Sequence, residues 1–375
     1  MDIEQTLASL RESGNYRAIP GDAACGMVDM TSNDYLGIAN RRDLQEEFFA
    51  THDAASLLMT ASASRLLAGI QAPYTFLENT LADTYGHDRK ALLFNSGYHA
   101  NVGMIQALAG KNTCILADKL VHASIIDGIR LSGAPFERFR HNDYSHLERL
   151  AHKASAEGRE ILIVAESVYS MDGDRADIDA LVRVKREYPG AILYVDEAHG
   201  VGVEGPSGLG LVQEIENPRE VDIVVGTFGK ALASAGAYGI MSEMMKQYMV
   251  NRCRSLIFST ALPPANMMWT EFIFKKMMDM DSERARLREN AILMRDTLAG
   301  IGYTVGASHI VPLHVGDPRL AVELSQKLRA EGFNVLPIRT PTVPPGTDRL
   351  RISLSAGLSA DEIVHFVEAL AKVKS

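Results

Sequence analysis

A lysine closes the apolar run Val221-Asp-Ile-Val-Val-Gly-Thr-Phe-Gly-Lys230, and small residues follow it up to Gly239. A β-branched run of this kind reads as a buried strand. A lysine at its end, with only Gly229 before it, is desolvated yet has room beside it for a planar partner. Desolvation disfavours the ammonium form, which makes the amine a nucleophile near neutral pH. Four further positions offer matching chemistry. Asn95-Ser-Gly-Tyr98 joins the strand-like Lys90 to Phe94 to a helical pattern, so Ser96-Gly97 presents backbone amides and the positive end of a helix dipole to an anion. His122 follows the strand-like Thr113 to Ala117, where its ring can stack on a flat cofactor. Asp196 ends the run Ala191 to Val195, where a carboxylate can keep a pyridinium nitrogen protonated. Arg351 offers a bidentate clamp for an α-carboxylate, which a lysine does less well. An amine for covalent attachment, a stacking ring, a carboxylate and a phosphate site are together the requirements of pyridoxal 5'-phosphate.

The elements that must position these groups are strands alternating with helices. Strand-like runs at 90–94, 113–117, 160–165 and 191–195 are separated by helical patterns at 99–109, 125–131 and 178–188. That spacing indicates βαβ units and a mainly parallel sheet, whose ligands collect at the carboxyl ends of the strands. Ser96, His122, Ser170, Asp196, His199 and Lys230 all fall at or just beyond such ends. The reading divides the chain into an N-terminal arm (1–45), a large cofactor domain (46–264) and a smaller α+β domain (265–375) that begins with one long helix over roughly 266–298. Its methionines, Met267, Met268, Met277 and Met278, read as core filler.

Two motifs match other chemistries in letters only. Gly200-Val-Gly-Val-Glu-Gly205 fits a dinucleotide fingerprint, but Pro206, Gly208 and Gly210 forbid the helix that must start there. Thr227-Phe-Gly-Lys230 is a threonine version of S-x-x-K, which needs an exposed hydroxyl at a helix start, whereas Thr227 is expected to close a strand. Composition narrows the rest. At 375 residues and 46% hydrophobic content the chain can bury a large core, while a net charge of −9 without dense basic runs argues against a nucleic-acid partner. Three cysteines, Cys25, Cys114 and Cys253, have no metal or disulfide spacing, so no metal is expected and a reducing compartment fits. The first residues carry no targeting pattern and no run is long enough to span a membrane, so a cytoplasmic location is expected.

Ser32-Asn-Asp-Tyr-Leu-Gly37, Ser64-Arg65, Asn95-Ser-Gly-Tyr98, His122-Ala-Ser124, Ser170-Met-Asp-Gly-Asp174, Asp196-Glu-Ala-His-Gly200 and Gly226-Thr-Phe-Gly-Lys230 resemble the α-oxoamine synthases. These are fold-type I pyridoxal-phosphate enzymes that condense an amino acid with an acyl thioester, and the likeness covers nearly the whole chain. It implies an α/β fold with a mainly parallel sheet in the large domain. It makes Lys230 the covalent anchor, Asp196 the pyridinium partner, His122 the stacking residue and His199 a partner of the cofactor's 3′-oxygen. Ser96, Gly97, Tyr98, Ser170 and Thr227 would line the cofactor, and Thr260 would reach the phosphate of a neighbouring subunit in a homodimer. Arg351, with Asn33, would hold the amino acid. The tail from Ile338 to Arg351 resembles the biotin-pathway branch, which implies L-alanine and a pimeloyl thioester of coenzyme A or acyl carrier protein, with Arg17 and Thr342 at the distal end of the acyl chain. A pairing of glycine with an acetyl thioester stays open. Two positions depart from the family pattern: Thr60-Ala-Ser-Ala63 replaces a glycine-rich run, and Tyr74 replaces a histidine.

Overall fold

A computed structural model describes residues 2–19 and 26–374; Pro20-Gly21, expected to break regular structure, and Cys25 lie outside the described residues. The chain divides into two compact units. The larger comprises Ile38–Tyr169 and Arg175–Asp281, and the smaller comprises Met1–Gly37, Ser170–Asp174 and Ser282–Ser375.

The larger unit is built on a seven-stranded sheet. Its strands run in the order Lys90–Phe94, Ala237–Met241, Ile223–Thr227, Ile192–Asp196, Glu160–Glu166, Thr113–Asp118, Phe136–Phe139. The last five pair in parallel and the first two are antiparallel to their neighbours. Strands buried along their whole length, such as Thr113–Asp118 and Ile223–Thr227, are what a sheet covered on both faces requires. Leu92, Met104, Ile115, Val164, Tyr194 and Val225 lie in one buried cluster on it. The α/β class and the mainly parallel sheet are as expected. Between Leu131 and Glu160 the sequence reading assigns no element, yet the strand Phe136–Phe139 and the helix Tyr144–Ala156 form there. Only Phe139 of that edge strand is buried, so the alternation that betrays a strand is missing. The long helix expected over 266–298 is two helices, Pro264–Met278 and Asp281–Gly300. Asp279 and Asp281 flank the interruption, and short acids that bond nearby backbone favour helix ends over interiors. Met267 and Met277 are fully buried.

In the smaller unit, Leu336–Ile338, Arg349–Ser353 and Ile310–His314 form an antiparallel sheet in that order, and Val28–Asp29 pairs in parallel with Phe333–Asn334. Helices Pro318–Ala330 and Ala360–Lys374 complete its α+β character. The turn Ser170–Asp174 belongs to this unit because Gly173, at φ 72°, lies so close to the Ile310 carbonyl that an added Cβ would sit 2.2 Å from its oxygen. Among the described residues no helix is long and apolar enough to cross a membrane.

The glycine run at 200–210 has a structural purpose. It wraps the carboxyl group of Glu197, which is fully buried. A Cβ on Gly200 would stand 2.0 Å from Glu197 Oε2, and one on Gly210 would stand 2.6 Å from its Cδ. Ser167 Oγ donates to Oε2, and the Val212 amide donates to Oε1 at 2.7 Å. Burial outweighs these donors and pushes the Glu197 pKa up to about 7. The folded protein therefore binds a proton that the unfolded chain has already lost between about pH 4.5 and 7. Stability from this group is full below about pH 4.5 and falls as pH rises to 7, by about 3 kcal/mol. Glu197→Gln keeps the shape and can still bond Ser167 and Val212. Denaturant titrations from pH 5 to 8 should show the parent losing stability relative to this variant; parallel curves would refute the assignment.

Candidate active site

The buried strand Ile223–Thr227 delivers Lys230 through a tight, internally bonded loop. The Phe228 amide donates to Gly236 O at 2.9 Å, the Ser234 amide to Phe228 O at 2.8 Å and the Ala233 amide to Lys230 O at 2.9 Å. Thr227 is 8% exposed, and its hydroxyl donates to Gly236 O at 3.2 Å while accepting from the Gly229 amide at 3.3 Å. Thr227 thus ends a strand with its hydroxyl engaged, as expected, and lacks the exposed helix-start position that an S-x-x-K nucleophile needs. Lys230 Nζ lies 2.7 Å from Nε2 of His199, which follows the neighbouring strand Ile192–Asp196 and is buried. At that distance one nitrogen carries the hydrogen and the other accepts it, so the pair can pass a proton.

Asp196 is 4% exposed and both of its oxygens are engaged. Asn101 Nδ2 donates to one at 2.7 Å and the Ala198 amide to the other at 2.8 Å. Asn101 comes from the helix Gly97–Leu108; its Oδ1 accepts from the Tyr194 hydroxyl at 2.7 Å, and its amide also reaches Ser124 Oγ at 2.9 Å. Ser124 in turn touches His122, whose Nδ1 accepts from the Ser124 amide at 3.2 Å and lies 2.7 Å from Ser124 Oγ. A backbone amide can only donate, so Nδ1 is the acceptor and a neutral ring carries its hydrogen on Nε2. Burial lowers the His122 pKa, with the Lys230 charge adding to the effect and Asp196 opposing it. The neutral imidazole is therefore the favoured form, suited to stacking on a ring. Glu166, which ends the strand beside that of Asp196, accepts from the His122 amide; burial first, and the Asp196 charge second, push its pKa well up.

The helix Gly97–Leu108 begins beside Thr227, since a Cβ on Gly97 would lie 3.8 Å from Thr227 Cβ. Ser96 caps the helix by accepting from the His99 amide at 3.2 Å. The Gly97 and Tyr98 amides are in the first turn, where helix geometry provides no acceptor. Tyr98 itself is 49% exposed and donates to Asp127 at 2.8 Å. Thr260 bridges to Ser64, and its carbonyl accepts from Asn95 at 2.7 Å.

These groups fit pyridoxal phosphate by their chemistry: an amine at 230, a buried carboxylate at 196, a neutral ring at 122 and open amides at a helix start. When bound, that cofactor supplies an electron sink for a carbanion.

The remaining expected residues lie in the smaller unit. Arg351, on the strand Arg349–Ser353, is 4% exposed. It donates from Nε to Ser170 O at 2.6 Å, from one terminal nitrogen to Ser353 Oγ at 2.6 Å and from the other to Asn33 Oδ1 at 3.1 Å. The Tyr35 hydroxyl is also hydrogen-bonded to the Arg351 guanidinium, so most of its five N–H donors are engaged. Asn33 Oδ1 also accepts from the Tyr35 hydroxyl at 2.9 Å, and burial pushes the Tyr35 pKa up to about 12, keeping that donor protonated. Ser170 thus sits with Arg351, bonded to it through its backbone. Arg17 donates to Thr342 Oγ1 at 2.7 Å.

Asn101, Ser124 and Glu166 escaped the sequence reading. An asparagine in the otherwise apolar stretch Ala100 to Ile105 was the available signal for the first. At the two departures from the family pattern, Ser62 adopts φ 52° with its amide bonded to Thr60 Oγ1 at 3.0 Å, taking up a left-handed turn without glycine. Tyr74 is buried, donates to Leu262 O at 2.5 Å and packs under the Arg65 guanidinium, 4.5 Å from its ring centre.

The family model for class I and II aminotransferases matches residues 26–370. A Pasteurella multocida protein named "Putative 8-amino-7-oxononanoate synthase" is 46% identical over 98% of this chain and 97% of its own length. A Neisseria meningitidis serogroup A protein of the same name is 44% identical over 98% of this chain and 99% of its own. Among solved structures, serine palmitoyltransferase from Sphingomonas wittichii superposes with a TM-score of 0.89 at 31% identity, covering 99% of this chain and 95% of that one. The 8-amino-7-oxononanoate synthase of Francisella tularensis superposes at 0.76 with 28% identity, covering 93% and 98%. The chain belongs to the α-oxoamine synthases, pyridoxal-phosphate-dependent acyltransferases within the class I and II aminotransferase family.

Proposed function

We propose that this enzyme condenses L-alanine with a pimeloyl thioester, releasing carbon dioxide and the carrier thiol, to give 8-amino-7-oxononanoate for biotin synthesis. Full-length identity of 44–46% to relatives carrying that enzyme's name supports the reading. The observation that carries it is the Arg17–Thr342 bond, which fixes a cation without a carboxylate partner among the described residues in the unit that also holds Arg351. A pimeloyl chain ends in a carboxylate or its ester, which such a cation suits, whereas acetyl and palmitoyl chains have no such end. In this reading the enzyme is a cytoplasmic homodimer with its sites at the subunit interface, and Thr260 serves the neighbouring subunit's cofactor phosphate.

The residues then act as follows. The Gly97 and Tyr98 amides bind the cofactor phosphate, assisted by Ser96, Ser170 and Thr227. Asp196 holds the proton on the ring nitrogen, and His122 fixes the ring plane. Arg351 takes the alanine carboxylate through its guanidinium group. Lys230 Nζ, passing its proton to and from His199, removes the α-proton and returns one after carbon dioxide has left. The α-carbon forms a bond to the thioester carbonyl carbon, and the carbon–sulfur bond breaks.

Serine, used by the palmitoyltransferase neighbour, and glycine with an acetyl thioester are the competing substrates. Cofactor absorbance followed during titration with alanine, glycine and serine, each then given pimeloyl or acetyl coenzyme A, separates them. Alanine with the pimeloyl thioester should exceed the other pairs in kcat/KM by roughly 10- to 100-fold; a preference for glycine and acetyl would overturn the proposal.

Lys230→Ala should lose the covalently bound chromophore and lower kcat by at least about 1000-fold. Borohydride reduction and peptide mapping of the parent should label Lys230, and a label on any other lysine would contradict its role.

Arg17→Ala should raise KM for pimeloyl coenzyme A by about tenfold or more, while leaving heptanoyl coenzyme A, which lacks the distal carboxylate, unaffected. Equal effects on both thioesters would mean that Arg17 only holds the arm in place.

A further inference from the structure

Four arginines converge in the smaller unit of a chain whose net charge is −9. Arg11 ends the helix Ile3–Glu12, Arg17 follows it, Arg319 begins the helix Pro318–Ala330, and Arg339 lies just past the strand Leu336–Ile338. Among the described residues none of the four is paired with a carboxylate. They are held instead by neutral acceptors: Arg319 donates to Glu12 O, Arg339 to Gly14 O at 2.5 Å and Tyr16 O at 3.2 Å, and Arg17 to Thr342 Oγ1 at 2.7 Å. Arg11 lies over the Tyr16 ring at 4.4 Å. Gly14, at φ 72°, lets the arm press onto Arg319, where an added Cβ would stand 2.8 Å from Arg319 Cγ.

Arg11, Arg319 and Arg339 line one open cavity of about 300 Å³. Its one acid, Glu323, is neutralised by Lys327 at 2.9 Å. Burial and the nearby Arg17 charge pull the Arg339 pKa down, with the Asp348 charge opposing them. Guanidinium groups fixed by backbone carbonyls keep further donors in a rigid plane, the geometry that suits phosphate oxygens. The Pro318–Ala330 helix start is not the attraction, because Asp317 already caps the Arg319 and Leu320 amides. Arg339 follows the strand Leu336–Ile338, whose Leu336 pairs with Arg351, so cavity and carboxylate clamp border one sheet.

We propose that this cavity binds the phosphate groups of the acyl-thioester carrier, an inference that rests on the thioester chemistry proposed above. Coenzyme A and the prosthetic arm of acyl carrier protein both present phosphate esters, and the structure favours that shared chemistry. Calorimetric titration of the holoenzyme with free coenzyme A, dephospho-coenzyme A and holo acyl carrier protein tests it, using the parent, Arg11→Gln, Arg319→Gln and Arg319→Lys. Each glutamine variant should weaken carrier binding roughly tenfold, and Arg319→Lys should weaken it less, with the parent's affinity falling as salt rises. A loss seen with coenzyme A and reduced for its dephospho form assigns the site to the nucleotide phosphates; a loss confined to acyl carrier protein assigns it to the prosthetic phosphodiester. Folded variants, shown by an unchanged Tm, that bind both carriers as the parent does would overturn the proposal. The alanine-dependent change in cofactor absorbance, recorded on the same samples, reports separately whether the reaction assignment holds.

Discussion

Glu166 and Asp196 end adjacent parallel strands in matched register, so the sheet buries two carboxyl groups side by side. Two ionised carboxylates about 4 Å apart repel by about 4 kcal/mol even at an effective dielectric of roughly 20. The fold resolves the conflict by unequal hydrogen bonding. Asp196 receives Asn101 and the Ala198 amide, each a donor to an anion, whereas Glu166 receives the His122 amide and is pushed towards its neutral form. Asp196 thus meets two hydrogen-bond donors, while burial pushes the Glu166 pKa well up. The same arrangement ties His122 to the sheet, because it is held by Glu166 through its backbone and by Ser124 through its ring.

Along the same strand end, side chains alternate in direction, and the next residue shows what that alternation does. Asp196 joins the polar network of Asn101, Tyr194 and Ser124, while Glu197 enters the glycine loop at 200–210. One acid faces hydrogen-bond donors and the other is raised to about 7 by burial. Of the glycines that match a nucleotide fingerprint, Gly200 packs on this carboxyl group and Gly205 on the backbone of Gly210, which itself packs on Glu197. His199, at the far end of the same turn, is brought to Lys230.

Much of this was legible in the sequence because strand ends are local features. Apolar runs stop at polar residues, and Asp196, His122 and Lys230 could be placed without knowledge of the third dimension. What escaped was created by closure of the fold. Asn101 meets Asp196 across 95 positions, and nothing in a helix pattern says which neighbour its amide will find. The strand Phe136–Phe139 stayed hidden because an exposed edge carries no alternation. Ser170 was legible as a loop residue after a strand, but its membership of the smaller unit depends on a bond to Arg351 spanning 181 positions. The break at Asp279 to Asp281 was masked by methionines that continue the apolar pattern across it.

The bonds around position 351 suit arginine, and not merely a cation. Three of its donors are fixed by Ser170, Ser353 and Asn33, and Asn33 is itself fixed by Tyr35, whose hydroxyl burial keeps protonated. A lysine has three donors on one rotating nitrogen, so occupying them in the same way would leave none for a ligand. Arginine divides the work between its ends and its edge, in a plane already set by the protein. Its orientation depends on Asn33, which lies more than 300 residues away in the chain and is carried there by residues 26–37. The network around Arg351 is therefore assembled from the two ends of the chain and the turn at Ser170, whereas the groups around Lys230 come from its middle. An insertion or truncation near the amino terminus is thus expected to act on the Arg351 network while leaving the Asp196–Asn101 network in place.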